Sequence, residues 1–331
     1  MRKIVLFLNS IFATALLLSY VLPYISPKTI PAFAVFSLFV PLLIIINVLF
    51  LIYWLIKLHK NFILSALILG IGWFIAPPFF KFSKKDVVLN NDLKVMTYNV
   101  RLFNHYKHEE DESTEKKIYQ FINNQSPDIV ALQEFYNSKD LDIKLKYKYI
   151  KTKSKSNKFG LAIYSKYPII NSGSLNFEHS ANNTIFVDIL KNKDTIRIYN
   201  VHLESLKINP KKENFGEKDS EKLFKRLQNG FKKQVAQTER ILKHEASWKG
   251  KKVMCGDFNN TAYSWVYQKL SKNKKDTFIE AGFGLGKSFR YIYPLRIDFV
   301  FTDTKATINQ FKTFNQIKFS DHHPILTRMH W

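Results

Sequence analysis

The 331-residue chain has one cysteine, Cys255. No internal disulfide can form, so the fold must rest on its buried core, which a chain of this length can supply. Cys255 itself ends an apolar stretch, Lys252–Cys255, and reads as a small buried hydrophobe. Acid is missing from one end. Residues 1–85 contain eight lysines and arginines and no aspartate or glutamate, so +8 of the net +23 lies there and +15 in the remainder. A basic globular domain favours polyanionic partners such as nucleic acid or anionic headgroups, although a lysine run such as 151–155 also serves simply as a solvated surface. No internal repeat is present.

What the N-terminal region has instead is long runs without charge: Ile4–Leu22, Ile30–Ile56 and Asn61–Phe80. Each approaches the length that crosses a hydrocarbon layer of about 30 Å as a helix, so three transmembrane helices are expected. Pro23 and Pro27 close the first run, Lys57, His59 and Lys60 divide the second from the third, and Pro77 and Pro78 end the last. Pro41 is a kink position within the second run. Tyr53, Trp54, Trp73, Phe79 and Phe80 lie near the expected ends, where large rings suit the interface. A signal peptide is the competing account of residues 1–22, but Ser19-Tyr20-Val21-Leu22-Pro23 offers no small-residue cleavage site. The expected organisation is an integral membrane anchor over residues 1–80, a polar linker over 81–91 and a second domain over 92–331. Three spans with an inside N-terminus place that domain outside the cytoplasm.

Beyond the linker the pattern alternates. Leu93–Val100 and Asp128–Gln133 read as strands around a helix near Ser113–Asn124. Lys158–Ser165, Ile169–Phe177, Asn183–Leu190 and Thr195–Leu203 read as successive strands. Glu217–Glu245 carries Leu223, Leu227, Phe231, Val235, Ile241 and Leu242 at helical spacing, with Gly230 a weak point costing about 1 kcal/mol. A helical stretch over Ala262–Leu270 and strands over Arg296–Thr302, Thr307–Phe314 and Ile325–His330 complete the domain.

Six motifs end probable strands with chemically useful residues: Thr97-Tyr98-Asn99, Leu132-Gln133-Glu134, Asn200-Val201-His202-Leu203, Gly256-Asp257-Phe258-Asn259, Arg296-Ile297-Asp298-Phe299 and Ser320-Asp321-His322-His323-Pro324. Carboxylates, carboxamides and imidazoles together form an inventory for binding a hard divalent cation and hydrolysing a phosphate ester. In type and order the motifs resemble the endonuclease/exonuclease/phosphatase superfamily, which includes deoxyribonucleases, abasic-site endonucleases, inositol polyphosphate phosphatases and neutral sphingomyelinases. The resemblance spans roughly residues 92–331. It implies an α/β fold, the four-layer α/β/β/α sandwich, here preceded by three transmembrane helices, and a phosphoesterase dependent on Mg²⁺ or Mn²⁺.

Its residue roles can be set beside the chemistry. Glu134 is expected as a carboxylate ligand and Asp321 as a ligand or a member of the metal shell. Asn99 offers either an oxygen to the metal or an NH₂ that holds Glu134. Asp257 and Asn259, two apart, would share a face of an extended segment and orient water for attack on phosphorus. Asn259 or Asn260 also suits a helix N-cap. A carboxylate against one imidazole nitrogen fixes the tautomer, and in the family an Asp-His couple, here Asp298 and His322, serves at the scissile phosphate. His323 points to the other side of an extended segment and reads as structural. His202 sits in a motif similar to that of deoxyribonucleases, sphingomyelinases and phosphoinositide phosphatases, whereas abasic-site endonucleases place a tyrosine in that pocket and tend to carry an aspartate where Arg101 stands. The expected substrate is a phosphodiester, either nucleic acid or a lipid headgroup. Nucleic acid is slightly preferred because Lys207, Lys211, Lys212, Lys218, Lys222, Lys225 and Arg226 could follow a phosphate backbone, and a solvated helix face explains the same residues. A phosphoinositide-type phosphatase remains an alternative. An inactive scaffold is disfavoured by the full motif set.

Overall fold

The computed structural model describes residues 2–105, 113–137, 143–154, 156–208 and 217–331. Helices α1 (Arg2–Ser19), α2 (Pro31–Phe36), α3 (Val40–Ile56) and α4 (Phe62–Ile75) come first. They are followed by β1 (Leu93–Asn99), α5 (Thr114–Gln125), β2 (Ile129–Tyr136), β3 (Tyr147–Thr152), β4 (Phe159–Ser165), β5 (Ile169–Ser174), β6 (Asn183–Lys191) and β7 (Asp194–His202). The chain continues through α6 (Glu217–Ala246), β8 (Lys251–Asp257), α7 (Trp265–Leu270), β9 (Lys274–Asp276), α8 (Thr277–Ala281), β10 (Asp298–Asp303), β11 (Thr307–Thr313) and β12 (Ile325–His330). Two compact units emerge: residues 1–79 with 206–235 and 260–269, and residues 80–205 with 236–259 and 270–331. Parts of α6 and the stretch around α7 group with the N-terminal helices.

Within the helical unit, Ala13, Leu16, Tyr20, Val40, Ile68 and Tyr263 form one apolar cluster and Val35, Leu38, Leu206, Leu227 and Phe231 another. Thr261 Oγ1 donates to the Ser37 carbonyl at 2.8 Å, and Asn260 Nδ2 to Gln234 Oε1 at 2.9 Å. Gly230 has a packing reason, since a Cβ there would stand 2.9 Å from Leu206 Cδ2, and α6 runs through it unbroken. Three membrane-spanning helices are not what the structure contains. Among the described residues only Arg2–Tyr24 is long and apolar enough to cross a membrane, by length and composition. The second run breaks at the Ser37–Phe39 turn, and Pro41 falls in the first turn of α3, where its missing N–H costs nothing, so it starts that helix rather than kinking it. The third run yields a helix of 14 residues, about 21 Å long at 1.5 Å per residue. The outward orientation of the catalytic domain was inferred from three spans and loses that support.

The second unit has a mixed α/β architecture of two six-stranded sheets, ordered β11-β12-β1-β2-β4-β3 and β5-β6-β7-β8-β10-β9. Their facing sides bury Val95, Ile129, Ala131 and Ile163 with Val187, Ile198, Val253 and Val300. The outer face of the first sheet is covered by α5 through Ile118, Tyr119 and Ile122. Strand β3, Tyr-Lys-Tyr-Ile-Lys-Thr, includes the start of the lysine run and pairs with β4 at the sheet edge, where the exposed Lys148 discourages pairing with other chains.

The candidate active site

In each sheet a parallel pair delivers functional residues at its C-terminal end. Asn99 lies opposite Gln133 in β1·β2, and His202 opposite Asp257 in β7·β8. Asp298, the first residue of β10, pairs antiparallel with Asp257. Directly opposed residues share a face of the sheet, so His202, Asp257 and Asp298 form one row across three strands. Gly256 permits that close approach: its φ is +141°, and a Cβ would fall 1.9 Å from the Val201 carbonyl oxygen. The neighbouring Phe258 is fully buried and edge-on to Phe299 and Phe301, which pins the loop after β8.

Beneath the row a buried polar stitch joins the two sheets. Gln133 Nε2 donates to Asn200 Oδ1 at 2.6 Å and Thr97 Oγ1 at 3.0 Å, while Asn200 Nδ2 donates to the carbonyls of Leu132 and Ala162 at 2.8 and 2.9 Å. Both amides belong to recognised motifs, yet their part in building the site was not assigned from sequence. The available signal was a carboxamide amid residues that pattern as core, since buried polar groups require partners.

Asp257 is 1% exposed and surrounded by donors. It accepts from Asn99 Nδ2 at 2.9 Å, Asn259 N at 2.8 Å and Asn259 Nδ2 at 3.3 Å. Burial pushes its carboxyl up to about 6, against the opposing pull of His322. The chain does not remain extended after it. Asn259 turns to φ +49°, a left-handed conformation that asparagine tolerates, and its amide holds Asp257 and the Leu203 carbonyl instead of projecting beside it.

His322 Nδ1 lies 2.9 Å from Asp298 Oδ2 and its Nε2 3.6 Å from Asp257 Oδ2. Burial alone would lower the imidazole's pKa, but Asp298 and Asp257 outweigh it and hold the ring well above its ordinary value. Ser288 Oγ accepts from the Asp298 amide at 3.0 Å, and Ser320 Oγ donates to the Asn99 carbonyl at 2.8 Å. Ser288 was not singled out from sequence, and Ser320 stood in the sixth motif with no role assigned to it. His202 is different: burial lowers its pKa, with Asp257 opposing, and among the described residues its Nε2 finds no hydrogen-bond partner while standing 3.7 Å from Asp257 and 3.9 Å from Glu134. His323 faces away and bonds the Ile317 carbonyl through Nδ1 at 3.0 Å.

Glu134 reaches the site through an irregularity. The β2·β4 register shifts between Leu132 and Phe135, Glu134 has φ +46°, and a bulge of this kind re-aims a side chain. Its side chain is 35% exposed, and its carboxylate lies 3.3 Å from Asn99 Nδ2. Burial and then the Asp321 charge push its pKa up. Asn99 thus presents its NH₂ to Glu134 and Asp257, and its oxygen accepts from the Arg101 amide at 3.1 Å. Two donor sets suit a cation. Asp257, Asp298 and His322 bring ligand-type atoms within 4.8 Å of one another, but His322 Nδ1 is already engaged by Asp298. Glu134 and Asp321 are hard oxygen donors whose mutual repulsion a divalent cation would relieve, so they fit such an ion better.

The sequence over residues 96–322, more than half of the chain, matches the model described as Endonuclease/Exonuclease/phosphatase family. The chain belongs to that family. Residues 2–79 match a second family, described as a domain of unknown function. No curated protein matches the chain. Among solved structures, family-like folds include the human Nocturnin catalytic domain with bound sulfate anion, at 16% identity and TM-score 0.55, covering 77% of this chain and 98% of that one. D. rerio TDP2 complexed with single strand DNA product matches at 15% identity and TM-score 0.54, covering 73% and 100%. A Bacteroides thetaiotaomicron mannosyl-6-phosphatase matches at 15% and 0.52, covering 72% and 100%. At these identities the likeness is one of fold.

Proposed function

We propose that this family member is a divalent-metal-dependent phosphodiesterase. The observation that carries the reading is the row formed by Asp257, Asp298 and His202, with His322 bridging the two aspartates. Asp257, more basic than an ordinary aspartate, takes a proton from the attacking water, and Asn259 and Asn99 hold its carboxylate in place. His322, kept cationic by Asp298, faces the charge that develops on phosphorus. His202 is neutral at the same pH and offers its unpartnered Nε2 to a phosphoryl or leaving oxygen. Glu134 and Asp321, with Asn99 steadying Glu134, would hold Mg²⁺ or Mn²⁺. When bound, the ion supplies Lewis-acid stabilisation of phosphoryl oxygen charge.

Nucleic acid is the preferred substrate class, supported by the +15 charge of the chain beyond residue 85. The α6 lysines contribute less to this preference than their number suggests. Lys222 and Lys225 pair with Asp219 and Glu221 of the same helix, and Lys211 and Lys212 lie outside the described residues. A lipid headgroup is the second reading, favoured by the exposed apolar side chains of the helical unit, among them Phe7, Leu49 and Phe74. We infer from the same residues that the helical unit attaches the protein to a membrane. Carbonate extraction of membranes should leave the chain in the pellet, and its release would contradict attachment.

The full chain, purified in detergent and stripped with chelator, should cleave a single-stranded oligonucleotide when Mg²⁺ or Mn²⁺ returns. Cleavage of sphingomyelin alone would establish the lipid reading. Action on phosphomonoesters alone would overturn the diesterase reading.

A further inference from the structure

Four consecutive residues after Val100 occupy the left-handed region: Arg101, Leu102, Phe103 and Asn104, at φ 46°, 55°, 53° and 63°. None is glycine. For residues with a side chain this conformation is strained, and it persists only where the surroundings over-determine it. They do so here. Phe103 is buried, stacked on Tyr119 at 5.1 Å and edge-on to Phe135 at 5.6 Å, and the Arg101 amide donates to Asn99 Oδ1.

The turn fixes where Arg101 goes. Its Nε lies 3.4 Å from Asp321 Oδ2, with 31% of the side chain exposed. The position is poor for a purely metal-binding site, because a guanidinium competes with an incoming cation for Asp321. It suits an anionic substrate, since arginine forks onto phosphate oxygens and remains charged at any working pH. A strained loop serving only to reverse the chain needs no cation at this place.

We propose that Arg101 is a phosphate-binding catalytic residue, whose guanidinium moves from Asp321 to a non-bridging oxygen of the scissile phosphate. The inference rests on the diesterase reading and adds a specific residue to it. In the reaction a bond forms between the water oxygen and phosphorus as Asp257 takes the water's proton, the ester P–O bond breaks, and the leaving oxygen takes a proton from solvent. Arg101 transfers no proton and stabilises the negative charge on the phosphoryl oxygens.

The test separates phosphate binding from metal binding and from turnover. Affinity for inorganic phosphate in the presence of Mn²⁺ is measured by calorimetry on the full chain, Mn²⁺ affinity without phosphate by electron paramagnetic resonance, and folding by circular dichroism. Arg101→Gln should weaken phosphate binding about tenfold or more and lower kcat on an oligonucleotide by about 10² to 10³-fold, while Mn²⁺ binds as tightly as before or more so. Arg101→Lys, which keeps the charge, should recover part of both losses and serves if the glutamine variant misfolds. Unchanged phosphate affinity in Arg101→Gln would overturn the proposal. So would a loss of Mn²⁺ affinity equal to the loss of phosphate affinity, since Arg101 would then act only by positioning Asp321. Should the wild type cleave no diester, the diesterase reading fails while the phosphate measurement still reports on Arg101.

Discussion

Two buried polar networks, one in each unit, use the same kinds of side chain differently. Among the N-terminal helices, Trp54 Nε1 donates to Asn9 Oδ1 at 3.0 Å, Asn9 Nδ2 to Ser65 Oγ at 2.7 Å, and Ser65 Oγ to Asn47 Oδ1 at 3.4 Å. Asn47 Nδ2 completes the network on the Phe12 and Leu43 carbonyls. These bonds tie α1, α3 and α4 together, and the groups they join are neutral. At the strand ends of the other unit, Asp257 has an elevated pKa, Glu134 is repelled by Asp321, and His202 Nε2 is left without a partner. A network that closes on itself stabilises the fold. One that retains charge and unused hydrogen-bonding capacity is equipped to engage something else.

The contrast breaks first, if it breaks, at His322. His322→Ala should reduce turnover by about 10² to 10⁴-fold, because the variant removes the cation bridging Asp257 and Asp298. Steady-state kinetics on an oligonucleotide at saturating Mg²⁺ checks this, and unchanged turnover would remove His322 from the mechanism. The pH dependence should be smaller but diagnostic. A carboxyl raised to about 6 holds its proton below that value, so activity should fall roughly tenfold per unit as pH drops below about 6. A limb near 4, the ordinary aspartate range, would show that Asp257 does not control it. The smallest effect on turnover belongs to the closed network. Asn9→Leu strands Trp54 Nε1 and leaves Ser65 Oγ only its bond to Asn47, and should cost about 1–3 kcal/mol in thermal unfolding with kcat unchanged.

The same contrast explains what could be read from sequence. Strand-end motifs were legible because β-structure repeats every two residues and apolar runs end where the chain meets solvent, so Asn99, His202 and Asp257 fall at positions that the pattern marks, whereas Asp298 opens β10 rather than ending a strand. The orientation of Asn99's amide, the bulge that turns Glu134 and the left-handed turn beneath Arg101 were not legible, because each depends on neighbours distant in the chain. The break in the second apolar run belongs with them: hydropathy is uninterrupted from Ile30 to Ile56, yet the chain turns at Ser37–Phe39 and begins a new helix. Hydropathy records the lack of charge, whereas the turn depends on backbone hydrogen bonds and Pro41.

The central claim, that the network around Asp257 is maintained for chemistry rather than stability, is tested most directly by measuring turnover and melting temperature together for Asp257→Asn. The substitution preserves shape and removes a buried charge, so the account predicts a fall in kcat of about 10² to 10⁴-fold with a melting temperature equal to or above that of the wild type. Retained turnover would contradict it, as would a melting temperature that falls along with activity.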